Sequence, residues 1–341
     1  MLETYIEKVS DKQDLSEEEA YTCLDVVFSQ EVPKTDLISF LGALSDKGEC
    51  VDEVVGFARA CRERMVTVHL SKPAMDLCGT GGSNQDRFNV STAVTFVLAA
   101  LDVPVAKHGN RGSRKSNGSF DFLEALEIPI YSDPKEVASF FGIYGFCFMF
   151  APVHHPAMKK VKDVRREIGR RTIFNLIGPL CNPAGVDHQV IGATTESVGQ
   201  LLASSLQRLG TKRSMVVVGG DGRDEMSVTH TSVLFDVVPN SIDRLVFDPH
   251  VYELGVSYED FVGFGGLSSD NAVLFEEIFF NCDDQHPIAQ CVALNAALCL
   301  VVYGVTPTIQ EGYDLAIGTI RSQLAWQAYY QIVSKIDRSS V

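Results

Sequence analysis

The stretch Asp76-Leu77-Cys78-Gly79-Thr80-Gly81-Gly82 decides the reading of this chain, with Phe88-Asn89-Val90-Ser91-Thr92 and Lys107-His108-Gly109-Asn110-Arg111 close behind it. Three glycines in four positions let backbone N–H groups approach an anion with no Cβ in the way. The polar opening at Asn89, Ser91 and Thr92 leads into an apolar, helix-like run over 93–101. A helix starting there aims its free N–H groups and positive dipole end at the same anion. Val103-Pro104-Val105-Ala106 is strand-like and returns a lysine, a histidine, an asparagine and an arginine to that place. The pattern predicts a phosphate cradle in an α/β sheet, with a polar acceptor pocket beside it.

The strand, glycine turn, helix rhythm holds from Pro73 onward. Strands are expected at 75–78, 103–107, 146–150, 189–193, 214–218 and 232–237. Helices are expected at 91–101, 118–127, 134–141, 156–163, 196–209, 287–303 and 311–335, with 240–285 irregular. The first 70 residues read as helices only. Ser16-Glu17-Glu18-Glu19 is a capping box, followed by Ala20, Cys23, Leu24, Val27 and Phe28 at helical spacing. Thr35 opens a second helix that Lys47-Gly48 ends, and a third runs over about 52–65. The expected fold is therefore a small N-terminal helical domain plus a larger α/β domain with a central mixed, mostly parallel sheet. The division is 1–70 for the helical domain, with 165–185 returning to it, and 71–164 plus 186–341 for the α/β domain.

Composition narrows the function classes. With 341 residues and 45% hydrophobic content the chain buries a sizeable core. A formal charge of −15 argues against a general nucleic-acid binder, which needs clustered Lys and Arg. The basic residues gather instead at 107–115 and 159–171, as a phosphorylated small molecule would require. The longest apolar run, 288–305, is broken by Gln290 and Asn295, and the N-terminus has no secretory signal, so a soluble cytoplasmic protein is expected. Nine cysteines without a C-x-x-C pair read as reduced core thiols.

These blocks resemble the signature of the anthranilate phosphoribosyltransferases. The likeness extends to Gly118-Ser119 with Asp121 and to Leu123-Glu124-Ala125-Leu126. It resumes at Arg165-Arg166-Glu167-Ile168-Gly169, at Arg171-Thr172-Ile173-Phe174-Asn175, at Gly178-Pro179-Leu180, at Asn182-Pro183 and at Gly222-Arg223-Asp224-Glu225. The resemblance implies that phosphoribosyl pyrophosphate binds at Gly79, Gly82, Ser83, Arg87, Asn89, Val90, Ser91, Thr92, Lys107 and His108, at Gly109 to Lys115 (Gly109, Asn110, Arg111, Gly112, Ser113, Arg114, Lys115), and at Ser119. It implies anthranilate contacts at Gly79, Asn110 and Arg165, and magnesium, two ions, at Ser91, Asp224 and Glu225. Lys107, His108 and Arg165 become the catalytic candidates, and a homodimer through the helical face is implied.

Each assignment has a plainer reading. Asp224-Glu225 could be an exposed acidic turn, Arg165 a solvated charge on a basic helix, and His108 a hydrogen-bonded structural histidine. His154-His155 resembles a segment lining the acceptor channel, yet two adjacent histidines are no metal signature; Asn175, Gly178 and Pro179 either shape that channel or merely turn the chain. The donor loop also departs from the family. Ser83 and Asn84 replace Asp and Gly, Arg87 replaces a threonine, and Arg114-Lys115 stands where small hydroxyl residues sit. One acid lost and three cations gained make this neighbourhood more positive by four charges. Either the cations hold the donor in a changed pose, or the site is re-tuned for another anion or disabled. The competing functions are a pyrimidine-nucleoside phosphorylase and a catalytically idle relative that binds nucleic acid or a partner protein.

Overall fold

The computed structural model describes residues 2–81, 87–112, 116–252 and 265–335. Four helices come first: α1 (Glu3–Ser10), α2 (Glu17–Ser29), α3 (Lys34–Lys47) and α4 (Val51–Glu63). The Ser16 box forms at the start of α2: the Glu19 N–H donates to Ser16 Oγ at 3.3 Å, and the Ser16 N–H donates to Glu19 Oε2 at 2.8 Å. Two of the four otherwise orphaned N–H groups are thereby satisfied.

The α/β part follows: β1 (Met75–Gly79), α5 (Val90–Ala100), β2 (Val105–Gly109), α6 (Ser119–Ala125), α7 (Pro134–Tyr144), β3 (Phe146–Phe150), α8 (Ala151–His154), α9 (Lys159–Ile168), α10 (Ile173–Ile177), β4 (His188–Gly192), α11 (Glu196–Arg208), β5 (Arg213–Gly219), β6 (Ser232–Val238), β7 (Ser241–Phe247), α12 (Ser268–Asn281), α13 (Pro287–Tyr303), α14 (Ile309–Arg321) and α15 (Leu324–Val333). The seven strands form one sheet in the order β3-β2-β1-β4-β5-β6-β7. The first five are mutually parallel, and β6 and β7 add an antiparallel edge, giving the mixed, mostly parallel sheet expected.

Alternation along the strands feeds two cores, because successive side chains point to opposite faces. Val190, Met215, Val217 and Leu234 join the larger cluster, in which α13 is buried along almost its whole length. Ile191, Val216, Phe235 and Val237 join a second cluster that takes in α2, α3, α4 and α11. Val161, Val164, Ile173, Phe174, Leu176, Ile177 and Leu180 belong to that second cluster, so the segment leaving β3 packs on the helical bundle. Each fully buried Leu or Phe of this kind contributes about 1.5–3 kcal/mol.

Three expectations need correction. The 240–285 region holds β7 and α12 rather than irregular chain. As an edge strand, β7 exposes four consecutive residues, Asp243 to Val246, and lacks the apolar alternation that marks a strand. The single helix expected over 311–335 is two, because Gln323 adopts φ +65° between α14 and α15, at a site with neither Gly nor Pro to betray it. The helix at 156–163 is a 3-10 turn over Pro156–Met158 and then α9, which runs on to Ile168. The helix α1 lies in a stretch for which only helical character in general is expected.

Candidate active site

The strand order turns at β1. From it the chain steps outward through β2 to β3, then returns to the other side through β4 and β5. In open α/β sheets, ligands bind at the carboxyl ends of the strands on either side of such a reversal. Gly79 ends β1 and Gly192 ends β4, paired across the ladder. Asp224, reaching in from beyond β5, is buried between them. A Cβ at Gly79 would stand 2.0 Å from Asp224 Oδ2, and one at Gly192 would stand 1.8 Å from the Asp224 carbonyl oxygen. No side chain fits at either strand end, and that is how an acid far along the chain reaches the glycine loop. The Gly81 N–H, 143 positions away in sequence, donates to Asp224 Oδ2 at 3.3 Å.

Lys107 lies on β2, next to β1. Its ammonium donates to the Leu77 carbonyl at 2.6 Å and to Ser91 Oγ at 3.0 Å, joining the strand to the first turn of α5. The side chain is 2% exposed and neither of these partners is charged; burial lowers its pKa, with Asp76 opposing. Asp76, fully buried below, accepts from Asn182 Nδ2 at 2.8 Å and from the His108 N–H at 3.2 Å; burial raises its pKa against Lys107. A desolvated ammonium beside a helix start is a built anion site.

The remaining donor candidates are anchored around this point. The Asn110 carbonyl accepts from Ser119 Oγ at 3.2 Å, and a Cβ on Gly109 would meet that hydroxyl. Asp121 accepts from the Gly112 and Gly118 N–H groups, each at 2.7 Å, folding the post-β2 loop back on α6. Arg111 pairs with Glu124 and lies 5.5 Å over the Phe150 ring. Val90 and Thr92 are buried in the opening of α5, and Asn89 gives that helix no side-chain cap. Asn89 Nδ2 donates instead to Asn117 Oδ1 at 2.7 Å, while Asn117 and Asn271 both donate to the Arg87 carbonyl, at 2.9 and 3.1 Å.

The acidic pair is not an exposed turn. Asp224 forms an ion pair with Arg87, and its side chain is 1% exposed. Burial pushes this carboxyl up, but Arg87 and the Gly81 N–H outweigh it, and the net pKa is lowered. Glu225 goes the other way, raised by burial against Arg87 to about 7; its Oε1 is buried without a hydrogen-bond partner, 3.8 Å from the Arg223 guanidinium.

Histidines line the far side of β2. The His108 and His155 rings lie 5.0 Å apart, and each has a buried Nε2 without a partner. Burial first, then the neighbouring histidines, pushes His108 well below 6.5, and His155 down to about 4. His154 Nδ1 meets the Val66 carbonyl, a structural contact. Arg165 stands on α9 with its guanidinium 5.4 Å over the Phe174 ring, and burial lowers its pKa. Asn175 caps the start of α10 through the Thr172 N–H, and Pro179 offers its carbonyl to Gln189. Gly178 opens a 3-10 turn.

Gly82, Ser83, Asn84, Ser113, Arg114 and Lys115 lie outside the described residues. Asp76, Asn117, Asn182 and Asn271 also belong to this framework, beyond the residues that the motifs mark as donor, acceptor or metal contacts. Asp76 heads the glycine stretch and Asn182 precedes Pro183, so both stood within quoted motifs; Asn271 sits on a helix no periodicity revealed, 184 positions from the carbonyl it holds.

Residues 71–325 match the family model for the glycosyl transferase family a/b domain, and 3–65 match its helical bundle domain. Anthranilate phosphoribosyltransferase from Moorella thermoacetica is 40% identical over 339 residues, 99% of each chain. The enzyme of that name from Geobacillus kaustophilus is 37% identical over 336 residues, 98% of each. The crystal structure of anthranilate phosphoribosyltransferase from Thermus thermophilus matches at TM-score 0.89 and 35% identity, covering 97% of this chain and 98% of that one. The Saccharomyces cerevisiae enzyme in complex with PRPP and Mg shares the fold, at TM-score 0.86 and 23% identity over 98% and 97% of the chains. The chain belongs to the anthranilate phosphoribosyltransferase family of glycosyl transferases.

Proposed function

We propose that this protein transfers the 5-phosphoribosyl group from phosphoribosyl pyrophosphate to the amine of anthranilate and releases pyrophosphate, a step of tryptophan biosynthesis. One observation carries the reading: at the carboxyl end of the sheet Asp224 closes on the ends of β1 and β4 and on the Gly81 N–H, while the buried Lys107 ammonium ties β1 to the first turn of α5. The C1–oxygen bond to pyrophosphate breaks, the nitrogen–C1 bond forms, and the amine releases a proton. Negative charge grows on the leaving diphosphate, where the Lys107 ammonium and the glycine-loop and α5 N–H groups stabilise it. Ser119 and the loop after β2 hold the phosphoribosyl end, and Asn110 faces the acceptor with Gly79 and Arg165. Arg165 pairs with the anthranilate carboxylate, a match guanidinium geometry favours.

The aromatic amine is already a neutral nucleophile, so positioning carries most of the rate. His108 is held neutral and is a weak base, suited to accepting a hydrogen bond rather than to abstracting a proton. Magnesium supplies charge neutralisation on the diphosphate when bound. The fit in this chain is partial. Glu225 keeps a buried oxygen without a hydrogen bond and Ser91 a hydroxyl near Lys107, whereas the Asp224 carboxylate is already held. The proposal includes the two-domain division at residue 70, a cytoplasmic location and a homodimer; among the described residues no helix is long and apolar enough to cross a membrane.

Loss of anthranilate fluorescence in the presence of donor and Mg2+ tests the reading. Lys107→Met should weaken donor binding by about 10- to 100-fold, the worth of one hydrogen-bonded charge, read by titration calorimetry. Phosphorolysis of thymidine or uridine with no consumption of anthranilate would reject it.

A further inference from the structure

We infer that Arg87 is a resident cation on Asp224, filling one of the two cation positions implied for this site, so that the protein takes a single divalent ion with its donor. The inference rests on the proposed donor reading and concerns how this chain departs from it.

Three observations support it. Arg87 Nη1 is ion-paired with Asp224 Oδ1, and the Asp224 side chain is 1% exposed. The other oxygen, Oδ2, takes the Gly81 N–H and lies 2.0 Å from where a Cβ on Gly79 would stand, so both carboxylate oxygens are already engaged by the protein. The Arg87 backbone is pinned as well: its carbonyl takes two amide donors, from Asn117 and Asn271, and a Cβ on Gly265 would touch its Cα at 2.4 Å. The guanidinium is thus carried by a fixed backbone onto a fixed acid.

The charge count agrees. With Glu225 ionised, above about pH 7, Asp221, Asp224 and Glu225 bring three negative charges, and Arg223 lies 3.8 Å from both Asp221 and Glu225. With Arg87 the cluster sums to minus one, and a neutral residue at position 87 would leave minus two. Removing a charge-assisted partner from a buried acid leaves that acid seeking a cation. Glu225, whose Oε1 takes no hydrogen bond and has the Arg223 guanidinium no nearer than 3.8 Å, is the acid left for the remaining ion.

The test is a Mn2+ titration of the full-length protein followed by the free-ion paramagnetic resonance signal. It is run alone, with phosphoribosyl pyrophosphate, and with inorganic pyrophosphate. The wild type should bind one ion per chain with donor, and Arg87→Thr should bind two, gaining about tenfold or more in Mn2+ affinity without donor. Arg87→Lys should keep one ion. If Arg87→Thr does not fold, Asp224→Asn in the wild type decides: an unchanged single ion supports the inference. Two ions in the wild type, no gain in Arg87→Thr, or loss of the ion in Asp224→Asn would each overturn it. A wild type that ignores the donor at millimolar concentration rejects the donor reading. The donor-free arm still decides the role of Arg87.

Discussion

Two largely desolvated groups should pull stability in opposite directions as the solution is acidified. His155 is 6% exposed, and its pKa falls from 6.5 to about 4; the Glu225 side chain is 12% exposed, and its pKa rises from 4.5 to about 7. Between pH 6.5 and 4 the unfolded chain protonates His155 while the folded chain does not, so this group costs stability as the pH drops. From pH 7 to 5 the linkage integral gives a loss of about 2 kcal/mol. Glu225 binds its proton in the folded state first, between pH 7 and 4.5, so its contribution rises as the pH drops. The same interval gives a gain of about 2 kcal/mol. In the wild type the two cancel. The perturbations are Glu225→Gln, which removes the gain, and His155→Phe, which removes the loss while keeping a buried ring. Urea unfolding at pH 7 and pH 5 in a chelator should show a loss about 2 kcal/mol larger than wild type for Glu225→Gln and about 2 kcal/mol smaller for His155→Phe. The double variant should return to the wild-type dependence, because the two sites are independent. Identical pH dependence in all four proteins would refute the argument, since every other titrating group is common to them.

Two further perturbations bear on the frame around the donor site. Gly79→Ala places a Cβ 2.0 Å from Asp224 Oδ2, so either strand or acid must shift; a cost of about 1–3 kcal/mol in urea unfolding is expected, with donor binding weakened in calorimetry. Asn271→Leu removes both amide donations, to Asn117 and to the Arg87 carbonyl, and should cost about 1–3 kcal/mol; an unchanged midpoint would mean that the asparagine cluster holds nothing in place.

The sequence carried the α/β layout because its strands are short apolar runs bounded by glycine, and because α5 opens directly after the glycine stretch. Phe146–Phe150 is fully apolar, as a buried parallel strand should be, and its bounds could be read directly. The edge strand β7 could not be read so. It pairs on one side only, its middle faces solvent, and Asp243-Arg244 break the apolar signal. Within the site, the local parts were legible: Gly79, Ser91 and Lys107 sit in motifs whose residue types declare an anion. The Arg87–Asp224 pair was not, although both residues had been singled out, Arg87 as a departure and Asp224 as a metal ligand. Their meeting depends on the register that sets Gly79 beside Gly192, and nothing local to either residue encodes a pairing between β1 and β4.

The overall charge of −15 and a site for a polyanion are compatible for a reason of distance. Charges on the outer helices are separated from the cradle by water and salt, and beyond roughly 8–10 Å they are largely screened. Lys107 is not screened, being 2% exposed, and at an effective dielectric near 20 a phosphate oxygen 4 Å away gains about 4 kcal/mol from it. The ammonium has already lost its water to Leu77 and Ser91, so binding an anion costs it little further desolvation. The same reasoning explains why one arginine at position 87 matters more than the surface balance. Paired with the buried Asp224, it offsets a negative charge at the place where a divalent ion would otherwise be drawn, and no exposed residue can restore that charge through solvent.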